Sequence, residues 1–255
     1  MLQVADAHAH LSELQNLDAV IRRAAQSGLF AITSMGMDVK SNLKTLQLSK
    51  DYETSSVKVL PALGLHPWGL VETSIEPTIA QMRQNIDRIA GVGEVGLDYW
   101  IKGIKKDPSI KQVQRSAFKD AIMVAKESDK PITVHSRGAW EDCFDMVAEL
   151  GAKKVIFHWF SGPTELLKKI VDQGFYISAT PAIEYSKDHR TAVLNVPLEN
   201  LLLETDSPVK YGDMSSEPKD VLISLKGVSK LKGLAMEDVA ETTTESFSRI
   251  YQSYL

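Results

Sequence analysis

Short apolar runs alternate with longer amphipathic segments along the whole chain. Eight of these runs predict β-strands, at residues 3–7, 30–34, 58–65, 90–95, 132–135, 155–158, 175–179 and 201–205. A segment with helical periodicity follows each run, and the last two helices are predicted at residues 217–229 and 236–251. Eight strand–helix units in 255 residues are typical of an α/β protein that folds as a (β/α)8 TIM barrel.

Composition agrees with one ordinary folded domain over residues 1–255. Hydrophobic residues make up 44% and charged residues 24% of the chain, and no linker or low-complexity tract divides it. The formal net charge of -4 argues against a broad positively charged surface for nucleic acid. Any polyanion is therefore expected to be held locally.

Cys143 is the only cysteine, so no disulfide can form within the chain. Its position in a helical-looking stretch predicts a small buried side chain. No signal peptide or membrane-spanning run is recognised in the sequence, and no obligate protein partner is evident. These features predict a cytoplasmic location.

Five of the six histidines stand at the ends of predicted strands. His8 and His10 are two residues apart, so in an extended strand their side chains share one face and can bind one metal ion. In a (β/α)8 barrel the chemistry lies at the carboxyl ends of the strands. The other candidates with this placement are His66, Glu94, His135, His158 and Asp206.

Each candidate also has an ordinary structural interpretation. A single His or Glu beside an apolar run is more often a hydrogen-bonded structural residue than a metal ligand. A structural role for the whole set would require several polar side chains to converge at one rim by accident, although burying polar groups is unfavourable. The set as a whole therefore favours a metal site.

Six motifs in this order resemble the TatD-type metal-dependent deoxyribonucleases of the amidohydrolase superfamily. They are the stretches at residues 6–10, 64–67, 93–99, 131–137, 158–162 and 204–208, and they span nearly the whole chain. Gly-Glu-Val-Gly-Leu-Asp and Glu-Thr-Asp-Ser-Pro are the most specific, whereas His-x-His occurs in many hydrolases. The resemblance implies that His8, His10 and Asp206 bind one metal and that His135 and His158 bind a second. It also implies that Glu94 bridges the two.

Such a site suits phosphodiester hydrolysis. Two divalent ions about 3.5 to 4 Å apart can activate a water near neutral pH and hold the attacking and leaving oxygens of a phosphoryl displacement. We assign Asp206 as a ligand and the acceptor of the water's proton, and Glu94 as the group that sets the distance between the metals. Glu204 is the rival carboxylate, and a direct role and a supporting role remain equally open for it.

Two residues are candidate substrate contacts. His66 could donate to a phosphate or a leaving oxygen, and Arg137 could bind the scissile group, although a salt bridge is nearly as plausible for Arg137. The aromatic residues Trp68, Tyr99 and Trp159 lie on predicted rim loops, where they could stack on bases or pack the loops. Trp68, Trp159 and residues 210–218 depart from the family pattern, which leaves the substrate less defined than the metals.

The leading hypothesis is a two-metal deoxyribonuclease that acts at the 3′ ends of single-stranded or frayed DNA. The cofactors would be two divalent ions, with Zn, Mg and Mn as candidates, and the partner would be DNA or a small phosphodiester. One alternative is hydrolysis of an amide or ester in a small molecule, because a metal-activated water also attacks carbonyls. A second alternative is a non-catalytic metal-binding scaffold.

Overall fold

The computed structural model describes residues 2–70, 75–104 and 107–255. Eight parallel strands form one sheet in sequence order. They are β1 (Val4–Ala9), β2 (Leu29–Met35), β3 (Lys58–Leu65), β4 (Gly91–Gly96), β5 (Ile132–His135), β6 (Val155–Phe157), β7 (Tyr176–Ala179) and β8 (Leu201–Leu203). Each coincides with a predicted strand, and the bounds differ by two residues or fewer.

Helices connect and cover these strands. In the described ranges they are α1 (Leu17–Gln26), α2 (Val39–Asp51), α3 (Ile75–Gln84), α4 (Ser109–Glu127), α5 (Trp140–Glu149), α6 (Thr164–Asp172), α7 (Lys187–Asn195), α8 (Val221–Lys232) and α9 (Met236–Ile250). The sequence did not predict a small antiparallel hairpin after β8, with strands β9 (Lys210–Tyr211) and β10 (Met214–Ser215). The predicted (β/α)8 barrel is confirmed.

Barrel closure involves β1 and the residues that follow β8. The backbone N–H of Asp206 donates to the carbonyl of His8 at 2.9 Å, and that of His10 donates to the carbonyl of Ser207 at 2.7 Å. Below these bonds, the buried Asp6 carboxylate accepts from the Thr205 N–H at 2.9 Å and from its hydroxyl at 2.6 Å. The two edges of the sheet therefore meet where the candidate ligands His8, His10 and Asp206 lie.

The main hydrophobic core lies between the strands and the helices. Helix α4 buries Ala117, Phe118, Ala121, Ile122 and Ala125, which recur at the three- and four-residue spacing of one helical face. A smaller apolar cluster near the amino ends of the strands includes Phe247 and Ile250 from α9 and Tyr251, which directly follows it. All six residues of β1 are buried, as expected for a strand covered on both faces.

Two glycines permit close backbone contacts near the carboxyl ends of the strands. A Cβ at Gly64 would lie 2.3 Å from the backbone N of Glu94, and a Cβ at Gly96 would lie 2.0 Å from the carbonyl oxygen of His135. Gly96 also has a φ of +145°, which side chains rarely adopt. Larger residues at these positions would displace Glu94 and His135.

Within the described ranges, no helix is both long and apolar enough to span a bilayer. Cys143 is a free, buried thiol on α5, as predicted.

Candidate metal centre

Seven predicted residues converge at the carboxyl ends of the strands. The structure buries His8, His10, His66, Glu94, His135, His158 and Asp206, each with less than a tenth of its surface exposed. Among them, Glu94 has the central place, because one of its carboxylate oxygens faces His8 and His10 and the other faces His135 and His158. We refer to these two sides as the β1 half and the β5–β6 half of the centre.

The β1 half contains four donor atoms: His8 Nε2, His10 Nε2, Glu94 Oε2 and Asp206 Oδ1. Five distances among these atoms lie between 3.2 and 3.4 Å. Donors about 2.0 to 2.1 Å from one ion in tetrahedral coordination are themselves about 3.3 Å apart. The spacing of this half therefore fits a single divalent ion such as zinc.

The β5–β6 half contains three donor atoms of the same kinds. Glu94 Oε1 lies 2.7 Å from His135 Nδ1 and 2.9 Å from His158 Nε2, and these two nitrogens are 3.4 Å apart. Three protein donors leave positions around an ion for water and substrate, which is characteristic of catalytic metal sites. The donor set also fits a divalent ion.

Carboxylates behind the two histidines of the β5–β6 half select their tautomers. His135 Nε2 lies 3.1 Å from Asp98 Oδ2, and His158 Nδ1 lies 3.2 Å from Glu204 Oε1. A neutral imidazole that donates to a carboxylate through one nitrogen has its lone pair on the other. The lone pairs of His135 and His158 are thereby directed at the centre, as in many carboxylate–histidine–zinc sites.

The β1 half has no such support among the described residues. The Nδ1 atoms of His8 and His10 are buried there without a hydrogen-bond partner. Instead, the backbone holds this half in place, through the bonds that join His8 and His10 to residues 206 and 207 across the barrel closure.

His66 lies against the centre in a different tautomer. Its Nδ1 accepts the backbone N–H of Trp68 at 3.1 Å, and its Nε2 lies 3.3 Å from Glu94 Oε1. An imidazole that accepts at Nδ1 carries its proton at Nε2, so the Nε2 side of neutral His66 is a donor. His66 could also reach a metal together with Glu94 and His135. The bond from the Trp68 N–H to His66 Nδ1 favours instead the donor role predicted from the sequence.

Electrostatics in the metal-free centre follow from burial and mutual pairing. Burial opposes ionisation of Glu94, but His66, His158 and His8 hold its pKa well below the usual range. Burial disfavours the charged form of His10, yet its bonds to Asp206 and Glu94 raise its pKa to about 10. Burial also opposes ionisation of Asp206, but its hydrogen bond to His10 and the nearby His8 outweigh burial and lower the pKa of this carboxyl group.

His66 again differs from the other imidazoles. Burial lowers the pKa of His66 to about 4, and Glu94 only partly opposes this effect. His66 is therefore neutral at physiological pH, in agreement with its use of Nδ1 as an acceptor.

Two residues that follow strand ends have left-handed backbone conformations. Asp206 has a φ of 52° and Trp159 a φ of 45°, which are uncommon for residues other than glycine. The Trp159 N–H is held by Ser178 Oγ at 3.0 Å and Glu204 Oε1 at 3.1 Å. Such strain clusters at functional sites, and here it occurs at one candidate ligand and directly after another.

Glu204 and Asp98 are the supporting carboxylates. Glu204 could reach a metal together with His8 and His158. Its Oε1 accepts from His158 and Trp159, whereas its Oε2 is buried without a partner among the described residues. Through Oε1, Glu204 positions His158, and Oε2 leaves a direct role open. Sequence reasoning gave Asp98 no role, although it stands in the specific motif at residues 93–99 and follows Glu94 by four positions.

Arg137 lies at the rim, half exposed, and its Nε donates to Asp98 Oδ2 at 2.9 Å. Of the three rim aromatics, Trp68 contacts the rings of His66 and His135. Tyr99 instead donates to Asp142, and Trp159 packs against Tyr211. Only Trp68 of these three therefore has a recorded ring contact with the centre, within the ranges that the structure describes.

A parallel eight-stranded barrel with a buried, bridged cluster of imidazoles and carboxylates at its carboxyl end defines the class of metal-dependent barrel hydrolases. Comparison with known proteins narrows this class. The family model described as TatD related DNase matches residues 5–252. The chain therefore belongs to the TatD-related family, as its motifs predicted.

Individual relatives match this chain over nearly their whole length. Deoxyribonuclease TATDN3 of Homo sapiens is 29% identical, with 96% of this chain and 93% of the relative covered. An uncharacterized metal-dependent hydrolase of Methanocaldococcus jannaschii is 30% identical, with 98% of this chain and 97% of the relative covered. The crystal structure of YjjV, a TatD homologue from Escherichia coli, superposes with a TM-score of 0.88 over 98% of both chains at 22% identity. The predicted class, a metal-dependent hydrolase, is confirmed at the level of the family.

Proposed function

We propose that this protein is a two-metal deoxyribonuclease that hydrolyses phosphodiester bonds at the 3′ ends of single-stranded or frayed DNA. The proposal depends on Glu94, whose Oε2 lies 3.3 Å from His8 and His10 while its Oε1 lies 2.7 Å from His135 and 2.9 Å from His158. A carboxylate placed in this way suits a bridge between two ions. The name of the human relative, a deoxyribonuclease, supports the choice of DNA as substrate.

The residues divide the work as follows. His8, His10 and Asp206 would hold one ion with Glu94, and His135 and His158 would hold the other. When bound, the two ions supply an activated water and neutralise charge on the scissile phosphoryl group. Asp206 is ionised in the metal-free centre, so its carboxylate can accept the proton of the attacking water.

His66 and Arg137 would contact the substrate. The Nε2 proton of neutral His66 is directed towards the β5–β6 half, where it can be donated in a hydrogen bond to a phosphate or leaving oxygen. The Arg137 guanidinium adds a fixed positive charge at the rim, with geometry suited to a phosphate.

The metals are expected to be Zn, Mg or Mn. Five imidazoles and two carboxylates surround the centre, and imidazole-rich sites favour Zn and other transition metals, whereas Mg prefers oxygen ligands. For the location we propose the cytoplasm, because a lone cysteine fits a reducing compartment.

Glu94→Gln tests the bridge. The amide removes the negative charge that both ions would share, so we expect weaker binding of at least one ion and a loss of turnover by orders of magnitude. Metal content and hydrolysis of a single-stranded oligonucleotide should fall together, while circular dichroism shows an intact fold. Two tightly bound ions and near-normal turnover in Glu94→Gln would contradict the bridge.

Recognition of DNA ends follows from the charge of the chain. A net charge of -4 argues against a broad positive surface, so the metals, Arg137 and His66 would hold only one or two phosphates. Asp206→Asn blocks catalysis and so allows DNA binding to be measured. Its binding should favour a linear single strand over a closed circle, depend weakly on salt, and disappear on chelation. Tight binding to the circle, with a salt slope of many ions, would indicate an extended interface and contradict end recognition.

A panel of amides and carboxylic esters separates this proposal from the alternatives. Metal-dependent turnover of the panel without turnover of DNA would favour a small-molecule hydrolase. Absence of metal-dependent turnover on every substrate would favour a scaffold.

A further inference from the structure

The Trp68 side chain is an exposed indole beside a buried metal centre. It is 56% exposed, and its ring centroid lies 4.8 Å from that of His66 and 5.9 Å from that of His135, with the rings edge to face. A single exposed hydrophobic side chain is ordinary on a protein surface, so it is the place of Trp68, rather than its exposure, that points to a ligand. Trp68 lies next to both the predicted donor to the substrate and a candidate metal ligand.

Hydrogen bonds hold Trp68 in this position. Its indole N–H donates to Asp98 Oδ2, and its backbone N–H donates to His66 Nδ1. The same Asp98 oxygen lies 3.1 Å from His135 Nε2 and accepts from Arg137 Nε at 2.9 Å. One buried carboxylate therefore sets the positions of a candidate ligand, an exposed aromatic ring and a rim guanidinium.

Arg137 supplies charge beside the exposed ring. Its guanidinium carbon lies 5.1 Å from the centroid of the Trp68 ring, and its side chain is 43% exposed. The side-chain hydrogen bond recorded for Arg137 within the described residues uses only Nε. Its terminal N–H groups can therefore be offered to a phosphate, which they fit in a bidentate manner.

We propose that Trp68 and Arg137 form a nucleotide subsite, in which the indole stacks on the unpaired base next to the scissile bond and Arg137 binds a phosphate oxygen. This inference rests on the proposed deoxyribonuclease function and specifies its substrate. Stacking on Trp68 requires a base whose face is free, as at a single-stranded or frayed end. The base of a nucleotide is joined to its phosphate by one sugar, which matches an aromatic ring adjacent to the centre.

The other exposed indole provides a comparison. Trp100 is 65% exposed, but its ring packs against Trp140 at 5.7 Å. No ring contact between Trp100 and a candidate ligand is recorded in the described part of the chain. Trp100→Ala is therefore a matched control for Trp68→Ala, because both remove an exposed indole from the same rim.

The experiment compares two single-stranded oligonucleotides that differ only in their 3′-terminal residue, which carries either a base or an abasic deoxyribose. We expect the wild-type protein to hydrolyse the base-bearing end with a kcat/KM about tenfold higher or more. Trp68→Ala should remove this preference by slowing the base-bearing substrate more than the abasic one. Trp100→Ala should keep the preference.

Trp68→Phe separates stacking from support of Asp98. Phenylalanine retains an aromatic face but cannot donate to Asp98, so it should retain part of the preference. If Trp68→Phe and Trp68→Ala slow both substrates equally, Trp68 acts only through Asp98 and the subsite is wrong. An equal rate on both ends in the wild-type protein would also overturn it, and would leave DNA hydrolysis itself established.

Binding provides a readout that does not depend on turnover. In an Asp206→Asn background with metals present, the Kd for the base-bearing strand should be about tenfold lower than for the abasic strand, and Trp68→Ala should make them equal. Equal Kd values before the substitution would overturn the subsite. If this preference is found but the wild-type protein cleaves no DNA, the proposed function fails and the nucleotide subsite stands.

Discussion

The two halves of the metal centre hold their histidines by different means. In the β1 half, His8 and His10 are positioned by backbone bonds to residues 206 and 207 across the barrel closure. In the β5–β6 half, His135 and His158 are each oriented by a carboxylate, Asp98 or Glu204. The first half thus depends on closing the barrel, and the second depends on a side-chain network.

The side-chain network of the β5–β6 half also reaches the proposed substrate contacts. Asp98 belongs to the network of the β5–β6 half and also contacts Trp68 and Arg137. The proposed nucleotide subsite is therefore built on the same carboxylate as one metal ligand. The β1 half instead contributes Asp206, the proposed proton acceptor.

The largest expected effect comes from emptying each half in turn. His8→Ala with His10→Ala, and separately His135→Ala with His158→Ala, should each reduce the bound metal by about one ion per chain and lower turnover by orders of magnitude. Metal analysis of the purified variants, with thermal melting as a check on folding, measures this. Loss of metal from only one of the two pairs would show a mononuclear centre and remove the basis of the comparison.

A smaller effect should distinguish support by side chains from support by backbone. Glu204→Gln weakens the acceptor behind His158, so we expect about 10- to 100-fold weaker metal binding in the β5–β6 half and little change in the β1 half. Competition with a chromophoric chelator resolves the two affinities. Glu165→Gln, an exposed position on α6, is the matched control and should change neither. Equal weakening of both halves would mean that Glu204 acts on the centre as a whole.

A third test concerns the protons that an ion must displace. The pKa of His10 is raised to about 10 and that of His158 is also raised, so in the metal-free protein both imidazoles carry protons that an ion must displace. Apparent metal affinity should therefore rise with pH, by about tenfold per pH unit for each displaced proton, until the pH approaches 10. Calorimetry in two buffers with different ionisation enthalpies counts the protons. A binding enthalpy that does not depend on the buffer would show that the imidazoles are already neutral.

Much of the candidate site could be predicted from local signals. A residue at the end of an apolar run lies at the carboxyl edge of a parallel strand, so the positions of His66, His135 and Asp206 in the sequence already indicate where they lie in the barrel. The alternation of His8 and His10 similarly indicates one face of β1.

Other features were not accessible in this way. The hairpin of β9 and β10 has strands of two residues each, too short to show periodicity. Asp98 was given no role although it lies two residues past β4 and ends the specific motif Gly-Glu-Val-Gly-Leu-Asp. Its importance appears only when Trp68, His135 and Arg137 are seen to meet at its carboxylate.

The sequence by itself determined the barrel, its strand order and the seven candidate residues at its carboxyl end, because periodicity and strand ends are local properties of the chain. Only the tertiary structure decided which nitrogen of His135 and of His158 faces the centre. That choice depends on hydrogen-bond partners far away along the chain: Asp98 is 37 residues from His135, and Glu204 is 46 residues from His158. The tautomer of an imidazole depends on what its other nitrogen contacts, and that contact exists only once the barrel has formed.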